Sequence, residues 1–316
     1  MQIEITPPTE QDLPAIVSIQ HTAAVMHRYS LAELKRDLAE LSPELQPHFL
    51  IARQDGETVG FGNAHRTAGS YHPYKFQVEI YVPAERRGVG IGGRLYEALR
   101  AMLAPLDPIS LRTQVSESDA ASLNFATSRG FVETKRDFPS TLEISNFDPS
   151  RFTELEIQLA KDGVTFASLE EKDSPAFRRH WHEVFSEVRL DTPRADPISP
   201  IDFQFFERNV VNDEELLRGA TVFAFRNGRI IGFSGSYSGA RPGSVDQWLT
   251  GVVAKERGRG VALGLKLRVI HAAKAAGLSF IHTDNDTRNS PMLAVNDKLG
   301  FVRGPAVLSM LKDPAT

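Results

Sequence analysis

Residues 86–92 read Arg-Arg-Gly-Val-Gly-Ile-Gly, and residues 256–262 read Glu-Arg-Gly-Arg-Gly-Val-Ala. Superposed, Arg87 falls on Arg257 and Gly90 on Gly260, an offset of 170 residues. Gly130-Phe131 and Gly300-Phe301 keep the offset of 170, while Asp55-Gly56 before Thr58-Val59-Gly60-Phe61 matches Asn227-Gly228 before Ile230-Ile231-Gly232-Phe233 at 172. Landmarks repeated in the same order mark an internal duplication. The chain therefore reads as two similar domains, 1–145 and 164–316, joined by a linker helix within 146–163.

The hydropathy pattern predicts the same order of elements in each copy. In the first, a strand at Ile3–Ile5 precedes helices over 11–27 and 31–41, and a hairpin follows over 49–65 around Asp55-Gly56. A strand at 76–82 leads into the glycine loop. Beyond it Ile91, Leu95, Ala98, Leu99, Met102 and Leu103 recur at helical spacing, as do Val261, Leu265, Val269, Ala272, Ala273 and Ala276 in the second copy. Strand, helix and strand complete the copy at 109–115, 119–128 and 131–138. The predicted class is α/β, a mixed α+β sheet with helices on both faces, made twice.

With 316 residues, 41% hydrophobic and 24% charged, the composition is that of a globular enzyme. The 36 basic and 40 acidic residues give a net charge of -4, without the basic excess of a nucleic-acid binder. No cysteine is present, which removes thiolate nucleophiles, disulfides and cysteine metal sites. The first residues, Met-Gln-Ile-Glu-Ile-Thr-Pro-Pro, have neither the basic nor the apolar segment of a secretion signal, and no run reaches 18 apolar residues. The expectation is a cytoplasmic protein with no membrane or nucleic-acid partner, as a monomer or homodimer.

Each glycine loop lies between a strand and a helix start, where free backbone N–H groups and the helix dipole attract an anion such as phosphate. Gly88, Gly90 and Gly93 also satisfy the dinucleotide fingerprint G-x-G-x-x-G, but Asp107 precedes the next strand rather than ending it, and Leu263 replaces the third glycine in the second copy. Neither loop continues into the Gly-Lys-Ser/Thr of a P-loop.

Val82-Pro-Ala-Glu-Arg-Arg87-Gly-Val-Gly90-Ile-Gly92, with its helix and Gly130-Phe131, resembles the GNAT N-acetyltransferase superfamily, whose signature is Arg/Gln-x-x-Gly-x-Gly/Ala. Val252-Val-Ala-Lys-Glu-Arg257-Gly-Arg-Gly260-Val-Ala262 resembles its alanine variant. The resemblance covers nearly the whole chain as a tandem pair. It implies that acetyl-CoA is the co-substrate, with its pyrophosphate on Arg87, Gly88, Val89, Gly90, Ile91 and Gly92, and on Arg257, Gly258, Arg259, Gly260, Val261 and Ala262. It also implies that the pantetheine arm pairs along Ile80, Tyr81 and Val82 and along Thr250, Gly251 and Val252. Asn289 matches a family position that contacts the cofactor arm, and Asp119 occupies that position in the first copy.

Acetyl transfer to a primary amine of a small molecule or peptide needs a base for the amine and a proton for the leaving thiolate, but no covalent intermediate and no metal. Glu79 is the candidate general base, on the strand that feeds the first loop and on the same face as Tyr81. The competing reading is an ordinary solvent-facing strand carboxylate. The second copy has Leu249 there, with Asp246 and Asp284 as the nearest carboxylates. The family's tyrosine four residues before Gly-Phe is replaced by Ala126 and Asn296, so Tyr81 or solvent is left as the proton source. The alternatives are a non-catalytic acyl-CoA sensor or scaffold, and an acetyltransferase active only in the C-terminal domain. His180-x-His182 reads as surface or capping, Arg178, Arg179 and Arg189 as a solvated face, and 191–200 as a proline-rich loop.

Overall fold

The computed structural model describes residues 3–23, 30–32, 34–35, 45, 47–67, 70–192, 199–239 and 241–313. They form two compact units, one of Met1–Arg136, Ala195–Ser199 and Ala306–Thr316, the other of Asp137–Arg194 and Pro200–Pro305. Neither unit is one continuous stretch: the end of the chain belongs to the first, and the segment after Arg136 to the second.

In chain order the strands are β1 (Ile3–Thr6), β2 (His48–Gln54), β3 (Glu57–His65), β4 (Lys75–Tyr81), β5 (Ser110–Ser116), β6 (Val132–Glu143), β7 (Val164–Ser168), β8 (Val222–Arg226), β9 (Arg229–Ser238), β10 (Ser244–Val252), β11 (Phe280–Asp286), β12 (Val302–Arg303) and β13 (Val307–Lys312). The first unit's sheet runs β1-β2-β3-β4-β5-β13, antiparallel except for the parallel pair β4–β5. The second runs β6-β11-β10-β9-β8-β7, with β12 on β6 and β10–β11 as its parallel pair. The expected mixed sheet is thus present in both units.

Local chemistry explains the repeated corners. The β2–β3 and β8–β9 turns place Asp55 and Gly56, and Asn227 and Gly228, all at positive φ, as a two-residue hairpin requires. On one face of the first sheet, Phe49, Ile51, Phe61 and Tyr81 pack under Leu13, Ile16 and Ile19 of the helix Leu13–Ala23. On the other face, the helix Ile91–Leu103 lies so close that a Cβ at Gly60 would meet Ile91 Cγ2 at 2.9 Å. Glycine in this strand buys close helix-to-sheet approach at the loss of strand propensity. The rest of the predicted helix over 11–27, most of that over 31–41, and residues 193–198 of the proline-rich loop lie outside the described residues.

In the second unit, the helix Pro175–Leu190 brings Trp181, Phe185 and Val188 into an aromatic core with Phe206, Phe223 and Phe233. Two sequence expectations are corrected there. Arg189 is 4% exposed and lies over the Phe185 ring, and Arg178 is paired with Asp173 and Glu207, because this helix packs on both sides. The predicted linker helix appears as Thr153–Lys161, inside the second unit.

Beneath the helix Val261–Ala275 runs a buried polar chain. Lys266 Nζ donates to Gln247 Oε1, Gln247 Nε2 donates to Ser234 Oγ at 2.9 Å, and the Ser234 and Thr250 hydroxyls are bonded at 2.8 Å. Lys266 is 1% exposed and has no carboxylate partner among the described residues, so burial pushes its ammonium down to about 7. Below that pH both folded and unfolded chains carry the proton. Between it and the ordinary lysine value, near 10.4, only the unfolded chain does, so stability rises with pH by up to about 1.4 kcal/mol per unit. Thermal melting from pH 7 to 9.5 should show this rise, and Lys266→Met should flatten it while melting higher at pH 7.

Candidate active site

The parallel pairing of β4 with β5 covers only three residue pairs, Lys75–Ser110, Phe76–Leu111 and Gln77–Arg112. Beyond them the strands part. Residues 79–81 of β4 stay paired to β3, and residues 113–116 of β5 stay paired to β13, so the inner edges of both strands lose their partner. A cavity of about 660 Å³ opens there, lined by Val78–Val82 on one side, Thr113–Ser116 on the other, and the glycine loop at its end.

That loop is shaped by two glycines in the left-handed region, Gly88 at φ 83° and Gly90 at φ 90°. Gly90 caps the helix Ile91–Leu103, whose first intrahelical bond from Arg94 reaches Gly90 O at 3.1 Å. The N–H groups of Ile91, Gly92 and Gly93 precede that bond and are left for an anion. Ile91 is 1% exposed, its side chain packed into the core. Val89 is exposed.

Arg87 does something the sequence reading did not anticipate. Its Nε donates to Val82 O at 3.0 Å and its Nη1 to Asp119 Oδ2 at 2.8 Å, so the guanidinium braces the loop. Asp119 caps the helix Ala120–Thr127, accepting from Ser122 N and Ser122 Oγ at 3.0 and 2.8 Å. Burial alone would raise this carboxyl, but the bonds from Ser122 and Arg87 outweigh it and hold it below the ordinary carboxylate range.

Glu79 lines the cavity, and none of the described residues pairs with its carboxylate. Tyr81 also lines it, but its ring is 8% exposed and stacked on Phe61 at 5.9 Å, as part of the core under the first helix. Two cavity residues, Tyr96 and Arg129, escaped the sequence reading. Tyr96 is 3% exposed, its hydroxyl has no hydrogen-bond partner among the described residues, and burial raises it above the usual tyrosine range. The Arg129 guanidinium lies 3.6 Å over the Phe125 ring, beside the first turn of the loop helix. The signals were there in the helical position of Tyr96 and in the place of Arg129 just before Gly130.

The second unit repeats the frame and alters the interior. β10 and β11 also pair over only three positions, Gly258 and Gly260 are at φ 74° and 80°, and Arg257 Nε donates to Val252 O at 2.9 Å. Here the second partner of Arg257 is Asp191, at the end of the helix Pro175–Leu190. Ala262 is half-buried, Val261 is buried, Arg259 is exposed, and Asn289 caps the helix Ser290–Leu299, accepting from Met292 N at 3.4 Å. Around Thr250 and Gly251 the space is filled: a Cβ at Gly251 would lie 2.0 Å from Val188 Cγ1, and one at Gly260 2.5 Å from Leu155 Cδ1. At Gly90 a Cβ would meet nothing within 4 Å. Leu249 packs against the aromatic core and Asp284 is exposed. Among the described residues no cluster of acidic or histidine side chains is arranged to hold a metal ion, and no helix is long and apolar enough to cross a membrane.

This arrangement has known counterparts. Residues 46–133 match the sequence model described as the acetyltransferase (GNAT) domain. The whole fold is similar to a GCN5-related N-acetyltransferase from Sphaerobacter thermophilus, at TM-score 0.74 and 16% identity over 98% of this chain and 95% of that one. It is equally similar to a tandem GNAT protein from the clavulanic acid biosynthesis pathway, at TM-score 0.75 and 19% identity over 99% and 98%. No curated protein matches the chain by sequence. The chain has the tandem fold of these proteins, and residues 46–133 of its first unit match the GNAT acetyltransferase domain.

Asp119→Ala removes both the helix cap and the anchor of Arg87. Chemical denaturation should show a loss of about 1–2 kcal/mol, and a change within experimental error would contradict the bracing role.

Proposed function

We propose that the chain transfers an acetyl group from acetyl-CoA to a primary amine of a small molecule or peptide in the cytoplasm, and that the first unit carries the reaction. The observation that bears most weight is the cavity between the parted β4 and β5, which joins an anion-binding loop to an unpaired carboxylate, Glu79. Gly88–Gly92 and the helix N-terminus suit the pyrophosphate, the open edge of Ile80–Val82 suits the amide-bearing pantetheine arm, and Arg129 adds positive charge. Acetyl-CoA supplies the activated acyl group as a thioester.

Glu79 acts as general base for the amine. Tyr96, protonated and buried without a partner, supports a second role for this cavity: its hydroxyl is a donor for a charge that develops on the thiolate side. Tyr81, held in the core, is the weaker proton source. In the second unit Leu249 replaces the base, Val188 covers Gly251 and Leu155 covers Gly260, so the same loop there serves the fold.

Glu79→Gln should lower kcat/KM for the amine by 100-fold or more, read as release of free CoA thiol, while the acetyl-CoA dissociation constant stays within twofold. Equal loss of both would remove Glu79 from the chemistry.

A further inference from the structure

Asn63 is completely buried in β3, and neither its Nδ2 nor its Oδ1 has a hydrogen-bond partner among the described residues. Buried carboxamides without partners are rare because both groups give up their bonds to water. The β3–β4 register sets Asn63 directly opposite Glu79 on the same face of the sheet, so their Cβ atoms are about 4.5–5.5 Å apart. Glu79 itself reaches the cavity.

The second unit is an internal control. Phe61 and Phe233 are equivalent, 172 residues apart, which makes Gly235 the counterpart of Asn63. There a Cβ would lie 3.2 Å from Trp248 Cε3, and the unit has leucine in place of the base. At these two equivalent positions one copy of the fold holds a carboxylate and a buried carboxamide, and the other holds neither. The strand order does not need Asn63, since the second sheet forms the same β8–β9–β10 order without it, with a register shift between Gln247 and Thr250.

We infer that Asn63 is a positioning residue for proton transfer, fixing with Glu79 one water molecule through which the acceptor ammonium gives up its proton. This rests on the acetyl-transfer reading above. The water lies between Asn63 and the Glu79 carboxylate, a polar setting with the two to four partners a buried water needs. The ammonium passes a proton through this water to Glu79. The neutral nitrogen attacks the thioester carbonyl carbon, the C–N bond forms and the C–S bond breaks. The nitrogen's surplus proton ends on the leaving thiolate, and Glu79 returns its own to solvent.

The test compares wild type, Asn63→Leu and the double variant Asn63→Leu/Glu79→Gln, using whichever amine the wild type acetylates fastest among amino acids, polyamines and amino sugars. Asn63→Leu should lower kcat by 10-fold or more and move the rising limb of the pH–rate profile upward, with acetyl-CoA affinity within twofold. Its melting temperature should equal or exceed that of wild type, because an unpartnered polar group is removed. The double variant should be no slower than Glu79→Gln alone. A fall in melting temperature, an unmoved pH profile, or additive losses in the double variant would each overturn the role of Asn63 while leaving acetyl transfer standing. A wild type that acetylates no amine in the panel would overturn both.

Discussion

The short parallel contact between β4 and β5 is what the first unit is organised around. After three residue pairs each strand keeps only its outer neighbour, and the sheet opens from within without losing its continuity on either side. A parallel pair needs a crossover helix, and here that crossover begins with the glycine loop. The glycine loop and the gap in the sheet therefore adjoin by topology. The Arg87 bonds to Val82 and Asp119 then fix the loop to the end of β4 and to the next helix.

The duplication shows which parts of this arrangement belong to the fold and which to the chemistry. Both units keep the parted strands, the left-handed glycines and the arginine bonded to the strand end. They differ in what fills the interior. Where the first unit places Tyr96 against Phe131, the second places Lys266 over Phe301, each 170 residues further on. Asn63 and Glu79 give way to Gly235 and Leu249, and Val188 closes over Gly251. The frame is common, and the cavity chemistry is described for one copy.

The repeat, the hairpin turns, the loop helices and the class of fold were legible because each rests on local rules: positive φ at Asp-Gly and Asn-Gly, apolar periodicity, glycines before a helix. The assignment of the final strand to the first unit was not, because strand pairing across some 200 residues leaves no local mark. Alternation and position placed Glu79 on the strand that lines the cavity. The bond from Arg87 to Asp119, 32 residues on, was not legible, because spacing reports where a side chain starts and not what folds back to meet it. Asn63 and the buried hydroxyl of Tyr96 stayed hidden because burial without a partner among the described residues is a property of three dimensions.

The central claim, that the cofactor occupies the first unit's cleft, is tested most directly by hydrogen–deuterium exchange of the full chain with and without acetyl-CoA. Protection of backbone amides at 80–92 and 113–116, with 250–262 unchanged, is the predicted result. Protection at 250–262 with 80–92 unchanged would contradict it.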